Sequence, residues 1–332
     1  MSRLDDIAAA DSTMDAVRAA QGVLHKAGVE NWMHEAVWLT CHAFSLSQAE
    51  LYTVPVTQQK LASLKELVDR RAAREPLQYV LGRQEFMGRE YIVGEGVLIP
   101  RLDTQSLVEI TVELIGERNL KATSIDLVAQ NCREFCCDSK AKNAGVTGAT
   151  ARLFAKEARQ KARQRCVTEV NRGGLRVLDL CTGSGCVAIS VKLACPNCDI
   201  TASDVSETAL AFARENGKRL GAEVRWLHSD MFANIPGAYD VITCNPPYIA
   251  DNERLQPELA FEPREALMGG HDGLDFYRIL RAKLRNHLYH GGFAVLECGD
   301  NQAARVCEIL DDYVTQVHSD MFGHPRIILV RN

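Results

Sequence analysis

No apolar run in this 332-residue chain is long enough to cross a bilayer, which excludes a membrane-spanning helix. An excess of basic charge is missing too. The formal net charge is -5, which argues against broad, sequence-independent binding to nucleic acid but leaves room for a local basic patch. The first residues, Met1-Ser2-Arg3-Leu4-Asp5-Asp6, lack both the apolar core of a signal peptide and the Arg-rich, acid-poor character of a transit peptide. A cytoplasmic setting is therefore expected, with an organelle left open. A second C-x-x-C to match Cys195-Pro196-Asn197-Cys198 is also absent, so a zinc site would need partners among Cys132, Cys136 and Cys137; no metal is expected.

What is present describes an ordinary globular chain, with 46% hydrophobic and 24% charged residues. Its length suits one large α/β domain and a smaller one. Twelve cysteines are many, but Cys181, Cys186, Cys244 and Cys298 fall inside apolar segments, where thiols act as small hydrophobes. Free thiols in a reducing compartment follow, and a monomer is the default expectation.

From about Asp11 to Arg74, apolar residues recur at helical spacing: Val17, Leu24, Trp32, Val37, Leu39, Phe44, Leu51, Leu61, Leu64 and Leu67. A break at Pro55 precedes a last helix from Gln58 to Ala73, and residues 1–75 read as a small helical domain for packing or partner recognition. The cluster Arg70, Arg71 and Arg74 is explained by the helix C-terminus, which favours cations. Residues 76–99 read as a linker, with two short strands between Leu77 and Val93 around a glycine turn. Residues 100–332 form the main domain. Within it, about 120–174 shows no strand pattern, and between Lys140 and Arg176 there are ten Lys/Arg against two Glu. This is read as an insertion, partly disordered, with a basic helix over 151–165 able to touch RNA.

Val177-Leu178-Asp179-Leu180 leads into Cys181-Thr182-Gly183-Ser184-Gly185 and then a helix, a strand–glycine turn–helix unit. Gly183 and Gly185 permit positive φ and close backbone approach. The third glycine of a dinucleotide fingerprint is replaced by Ala188, a permitted variant, so the turn alone is weak evidence. The next strand, Ile200 to Asp204, ends in an acid placed to bond ribose hydroxyls. A third strand, Val224 to His228, precedes Ser229-Asp230. A fourth, Tyr239 to Cys244, is followed by Asn245-Pro246-Pro247-Tyr248. Two prolines make a stiff turn that can aim the Asn245 amide and a backbone carbonyl at one point, with the Tyr248 ring as a wall. Two acceptors suit a planar amino group. Acid, acid and Asn-Pro-Pro-Tyr after successive strands point to S-adenosylmethionine-dependent transfer of a methyl group to nitrogen, rather than to a nicotinamide dehydrogenase. The chain closes with a loop over 251–270, a helix Asp272–His290, a strand Gly292–Cys298, a helix Gln302–Tyr313 and a strand Arg326–Val330.

These motifs resemble the HemK-type protein-(glutamine-N5) methyltransferases, which act on peptide-chain release factors. The resemblance runs from Arg74 to Arg326 outside the insertion. It rests on Arg74-Glu75-Pro76-Leu77-Gln78-Tyr79, Ile99-Pro100-Arg101, the glycine turn, the Asn-Pro-Pro-Tyr tetrad, Phe261-Glu262-Pro263-Arg264-Glu265-Ala266-Leu267 and Gly269-Gly270 through Arg278. It implies an α/β fold: a seven-stranded Rossmann-like class I methyltransferase sheet whose last strand is antiparallel, with an N-terminal helical domain and a linking β-hairpin. It implies S-adenosyl-L-methionine held by Pro100, Arg101, Thr104, Asp179, Thr182, Gly183, Ser184, Gly185, Asp204, Asp230, Met231, Phe232 and Asn245. Asn245, Pro246, Pro247 and Tyr248 would be catalytic, and would bind the substrate glutamine together with Glu262 and Arg264. The substrate implied is the glutamine of the Gly-Gly-Gln motif of a release factor, modified on its amide nitrogen, with no membrane and no stable nucleic-acid partner. Leu102-Asp103-Thr104 departs from the family's Pro-Glu-Thr but keeps the acid, and Glu297-Cys298-Gly299 stands where Glu-Ile-Gly is common.

Two other readings compete. Adenine methyltransferases on DNA or RNA share the tetrad, but the acidic chain and the 261–278 loop count against them. An inactive methyltransferase-like binding module is opposed by the intact tetrad and turn.

Overall fold

The computed structural model describes residues 4–52, 54–118 and 174–331. The basic stretch over 151–165 and the cysteines at 132, 136 and 137 lie outside the described residues.

Four helices open the chain: α1 (Leu4–Ala8), α2 (Thr13–Lys26), α3 (Trp32–Phe44) and α4 (Gln58–Ala72). Ser12 and Thr57 stop the preceding turns by capping α2 and α4, their hydroxyls accepting from the Asp15 and Lys60 amides. The periodic residues converge as expected, with Leu24, Leu39, Phe44, Leu61, Leu64 and Leu67 in one buried cluster.

The segment after Pro76 differs from expectation. Leu77–Leu81 forms a short helix, α5, and only Arg83–Phe86 (β1) and Arg89–Ile92 (β2) pair as a hairpin. Pro76, with φ of -54°, sets the helical entry, and Gly82 ends the helix in the left-handed region at φ 71°. Four apolar residues in a stretch of five cannot by themselves distinguish helix from strand. Tyr79 on α5 then donates its hydroxyl to the Val97 carbonyl at 2.6 Å, fixing the strap that runs from 93 to 103. Residues 104–118 are helical (α6).

The main sheet has the order β5-β4-β3-β6-β7-β9-β8, with β3 (Arg176–Leu180), β4 (Asp199–Asp204), β5 (Arg225–His228), β6 (Tyr239–Cys244), β7 (Leu288–Glu297), β8 (Val314–Ser319) and β9 (Pro325–Arg331). β5 through β7 are parallel, and β9 runs antiparallel to both neighbours. Helices α7 (Cys186–Ala194), α8 (Glu207–Leu220), α9 (Asp275–His287) and α10 (Ala303–Ile309) follow β3, β4, the 251–270 loop and β7. β8 was not foreseen: it is an edge strand whose residues are exposed or half-buried throughout, so it carries no apolar alternation.

The two faces of the sheet bury different sets, as a period of two requires. Leu178, Leu180, Ile242 and Cys244 face α9 and α10 through Tyr277, Leu280, Leu284 and Val306. Val177, Val241, Phe293 and Val295 face α6, α7 and the hairpin through Leu107, Ile115, Ile189, Phe86 and Tyr91. The strand order turns back between β3 and β6, and a parallel sheet opens its ligand crevice at such a switch point, beyond the strand C-termini. No helix among the described residues is long and apolar enough to cross a membrane.

Candidate active site

The glycine turn after β3 is built from below. Asp179 is buried beneath it, its carboxylate accepting from the Thr182 hydroxyl at 2.6 Å and the Thr243 hydroxyl at 2.7 Å. Burial pushes that carboxyl up to about 6, against the pull of the two hydroxyls. Asp179 thus shapes the turn and does not line the cleft above it. Above it the chain bends through Cys181 at φ 55°, Gly183 at 55° and Gly185 at 81°. A Cβ on Gly185 would meet the Trp226 ring at 2.9 Å, whereas one on Gly183 would meet nothing within 4 Å. Gly185 therefore packs the helix against β5, and Gly183 leaves its backbone open to a ligand. The Gly183 amide donates to Asp204 Oδ2 at 2.8 Å and the Ser206 amide to Oδ1 at 2.9 Å, which locks the acid at the end of β4. Burial raises the Asp204 carboxyl, and those amides oppose the shift.

Above the turn lies an open cleft. Of the expected cofactor residues, Pro100, Arg101, Thr104, Thr182, Gly183, Ser184, Asp204, Asp230, Met231 and Asn245 line it. Gly185 and Phe232 sit behind it; the Phe232 ring is 4.6 Å from that of His287. The strap supplies Gly96 and Leu98, and α9 supplies Phe276, which the sequence placed on the substrate side. Met231, like Cys181, holds a positive φ without being glycine, at 45°. Each such residue costs about 1–2 kcal/mol, and both face the cleft. Asn216 of α8 was missed in the sequence: it bonds Ile92 on the hairpin through both its oxygen and its nitrogen, and the Ser184 carbonyl at 3.0 Å. It thus joins hairpin to glycine turn. An open backbone over glycine, two acids at strand ends and an apolar wall suit a nucleoside carrying an amino-acid tail.

The tetrad leaves β6 beside this cleft. Asn245 Nδ2 donates to the Thr104 hydroxyl at 3.2 Å, and Pro247 lines the cleft. The Tyr248 carbonyl accepts from Gln302 Nε2 at 2.8 Å, while its phenol lies beside Arg326 and is pushed up to about 12 by burial. Two glycines press on this backbone: a Cβ on Gly269 would come within 2.6 Å of the Pro247 carbonyl, and one on Gly273 within 2.3 Å of that of Tyr248. The 251–270 loop is thereby held against the tetrad, with the Gly269 amide donating to the Ile249 carbonyl at 2.8 Å and the Ile249 amide to the Leu267 carbonyl at 2.9 Å.

Ion pairs clamp the same loop at two other points. Glu262 is buried, accepts from the Ile99 amide at 3.0 Å and pairs with Arg101 of the strap. Glu258 meets Arg71 at 3.2 Å and Arg74 at 2.7 Å, and Arg71 in turn meets buried Glu35 at 2.6 Å. Arg71 and Arg74 at the end of α4 therefore form a paired junction between helical region and loop, more than a helix-terminal preference, while Arg70 pairs with the nearby Glu75. Arg264 is exposed, and neither Glu262 nor Arg264 reaches the cleft. Among the described residues no three His, Cys, Asp or Glu side chains are grouped to hold a metal ion.

A seven-stranded sheet with this switch-point cleft, glycine turn and strand-end acids defines a class I S-adenosylmethionine-dependent methyltransferase. Two family models match the chain: the methyltransferase small domain over residues 150–268 and the PrmC N-terminal domain over residues 15–82. Release factor glutamine methyltransferase of Geobacter sulfurreducens is 34% identical over 86% of this chain and 84% of its own. The proteins of that name from Bordetella pertussis, 35% identical over 88% and 92%, and from Thermodesulfovibrio yellowstonii, 33% identical over 90% and 92%, are similar at comparable length. The chain belongs to the release factor glutamine methyltransferase family.

Proposed function

We propose that this enzyme transfers the methyl group of S-adenosylmethionine to the side-chain amide nitrogen of the glutamine in the Gly-Gly-Gln motif of peptide-chain release factors. The observation that carries this reading is the Asn245 amide: its nitrogen is occupied by Thr104, and it stands at the edge of the cofactor cleft beside a backbone stiffened by two prolines. Bound S-adenosylmethionine supplies a methyl group made electrophilic by a positively charged sulfur. Asp204 would hold the ribose hydroxyls, Asp230 would lie near the adenine amino group, and Gly183 and Ser184 would pass under the amino-acid tail. Pro100, Arg101, Thr104, Thr182 and Met231 would complete the walls, with Asp179, Gly185 and Phe232 supporting them from behind.

A glutamine amide nitrogen is a poor nucleophile because its lone pair is delocalised into the carbonyl. The Asn245 Oδ1 and the Pro246 carbonyl would accept its two N–H bonds, localising density on nitrogen and aligning it with the methyl group. Pro247 and Tyr248 hold that backbone in place. Alignment and fixed dipoles supply the rate gain. The methylated nitrogen is strongly acidic, so no strong base is required before transfer. Glu262 and Arg264 would act on the substrate side, Glu262 by holding the loop and Arg264 by meeting the protein substrate. We divide the chain into a helical recognition domain (1–75), a linker (76–99) and a catalytic domain (100–332), working as a monomer in the cytoplasm without stable nucleic-acid or membrane partners.

The test offers labelled S-adenosylmethionine with a release factor, with the same factor carrying a replaced Gly-Gly-Gln glutamine, and with DNA. Label on the first alone supports the reading; label on DNA, or on both factors equally, overturns it.

A further inference from the structure

β6 and β7 run parallel, and their last paired residues are Cys244 and Leu296. Asn245, the first residue after β6, therefore stands beside Glu297, the last residue of β7, whose other neighbour is Ile327 of β9. Glu297 is fully buried, and neither of its carboxylate oxygens has a partner at full hydrogen-bonding geometry. A buried carboxylate so poorly satisfied is costly to folding and calls for an explanation. The polar groups turned to it are the hydroxyl of Thr104 and the amide of Asn245. Thr104 is itself buried, and its oxygen already accepts from Asn245 Nδ2 at 3.2 Å.

A hydroxyl has one proton to give. With its oxygen engaged by Asn245, the Thr104 hydroxyl has that proton left for Glu297, and an ionised carboxylate can only accept. The chain of donors then runs one way, from Asn245 Nδ2 to Thr104 to Glu297, and Asn245 Oδ1 is left for the cleft. The direction matters because the two ends of an amide have nearly the same shape. A flipped Asn245 would present N–H groups to the N–H groups of the substrate amide.

We propose that Glu297 is a positioning residue for methyl transfer: through the Thr104 hydroxyl, its carboxylate fixes which end of the Asn245 amide faces the substrate. This rests on the glutamine-methylation reading above. Burial brings the Glu297 carboxyl up to about 7, against the opposing pulls of Thr104, of Arg326 on β9 and of Asn245, while Asp103 on the strap adds to the rise. The other titratable groups around it, Tyr248 on the tetrad, Tyr277 on α9, Cys298 after β7 and Cys186 on α7, are all pushed up by burial and stay neutral near pH 7. Below about pH 7 a protonated Glu297 can donate to Thr104 and reverse the chain, so the sign is set: turnover falls on the acid side.

The experiment measures methyl transfer to a release factor by the full chain and by Glu297→Gln from about pH 5.5 to 9, with cofactor affinity measured in parallel. A carboxamide has the same shape but fixes no direction. The expected result is a kcat loss of about tenfold or more in Glu297→Gln at pH 8, with KM for the release factor and Kd for S-adenosylmethionine within about threefold. The acid-side fall of the parent near pH 7 should vanish in the variant. A variant kcat within about threefold of the parent, an acid-side fall that persists unchanged, or a loss spread equally over KM and cofactor Kd overturns the proposal. If Glu297→Gln does not fold, Thr104→Val decides: a kcat loss of about tenfold with cofactor Kd within about threefold supports the relay, and a variant that retains kcat, or loses cofactor affinity to the same degree, overturns it. A parent enzyme that fails to label the release factor at all instead removes the glutamine-methylation reading, so the two failures are distinct.

Discussion

The two sides of the cleft are made by different physics. The cofactor side is backbone emerging from a packed sheet: the ends of β3, β4 and β5, with a carboxylate under the glycine turn and amides locking Asp204. The side that we propose meets the protein substrate is a 20-residue loop over 251–270, short of buried apolar residues and held by Glu258, Glu262 and the close approach of Gly269 and Gly273 to the tetrad. The first side is set by the fold's core. The second is set by a few charged and glycine contacts that reach from the helical region to the strap.

Asn245→Ala cuts the point where the sides meet and carries the largest expected effect. Turnover should fall by about 10²–10³ or more, with S-adenosylmethionine affinity within a few-fold, as measured by label transfer and calorimetry. Near-normal turnover would sink the mechanism. Gly185→Ala attacks the cofactor side alone. Positive φ and the Trp226 contact together should cost about 2–4 kcal/mol in urea unfolding and weaken cofactor binding; an unchanged midpoint would show that the turn yields more than a packed core should. Glu258→Gln attacks the substrate side alone. Arg71 keeps Glu35, so about 1–2 kcal/mol of stability should go, and KM for the release factor should rise several-fold with cofactor Kd unchanged. A matching loss of cofactor affinity would erase the distinction between the two sides. Arg83→Ala breaks an exposed pair with Glu90 on the hairpin and should change stability by less than about 0.5 kcal/mol.

The same division governs what could be read from sequence. Elements buried on both faces announced themselves: β6 was legible residue for residue because all six of its positions are buried. Exposed pieces were less evenly legible. The edge strand β5 was foreseen, but β8, which pairs with β9 alone among the described strands, was not. α5 passed as a strand because a five-residue run with four apolar residues fits either period. Within the site, residue types with a fixed chemical use at a strand end, Asp204, Gly183 and Asn245, line the cleft. Asp179 was legible as important but not in its place, since an acid before a glycine turn reads the same whether it points up at a ligand or down at two threonines. Asn216, Phe276 and the Glu258–Arg71 junction depend on segments far apart in sequence, and no local pattern encodes such meetings.

One carboxylate at the other end of β6 has a further consequence. Asp240 accepts from Arg118 at 3.0 Å and from the Arg176 amide at 2.9 Å, so the residues flanking 119–173 on both sides are fastened to the same point. That point lies five strand residues from Asn245, roughly 16 Å at a strand's rise. The base of the sheet thus carries one carboxylate that joins α6 to β3, set apart along β6 from the end where the tetrad begins.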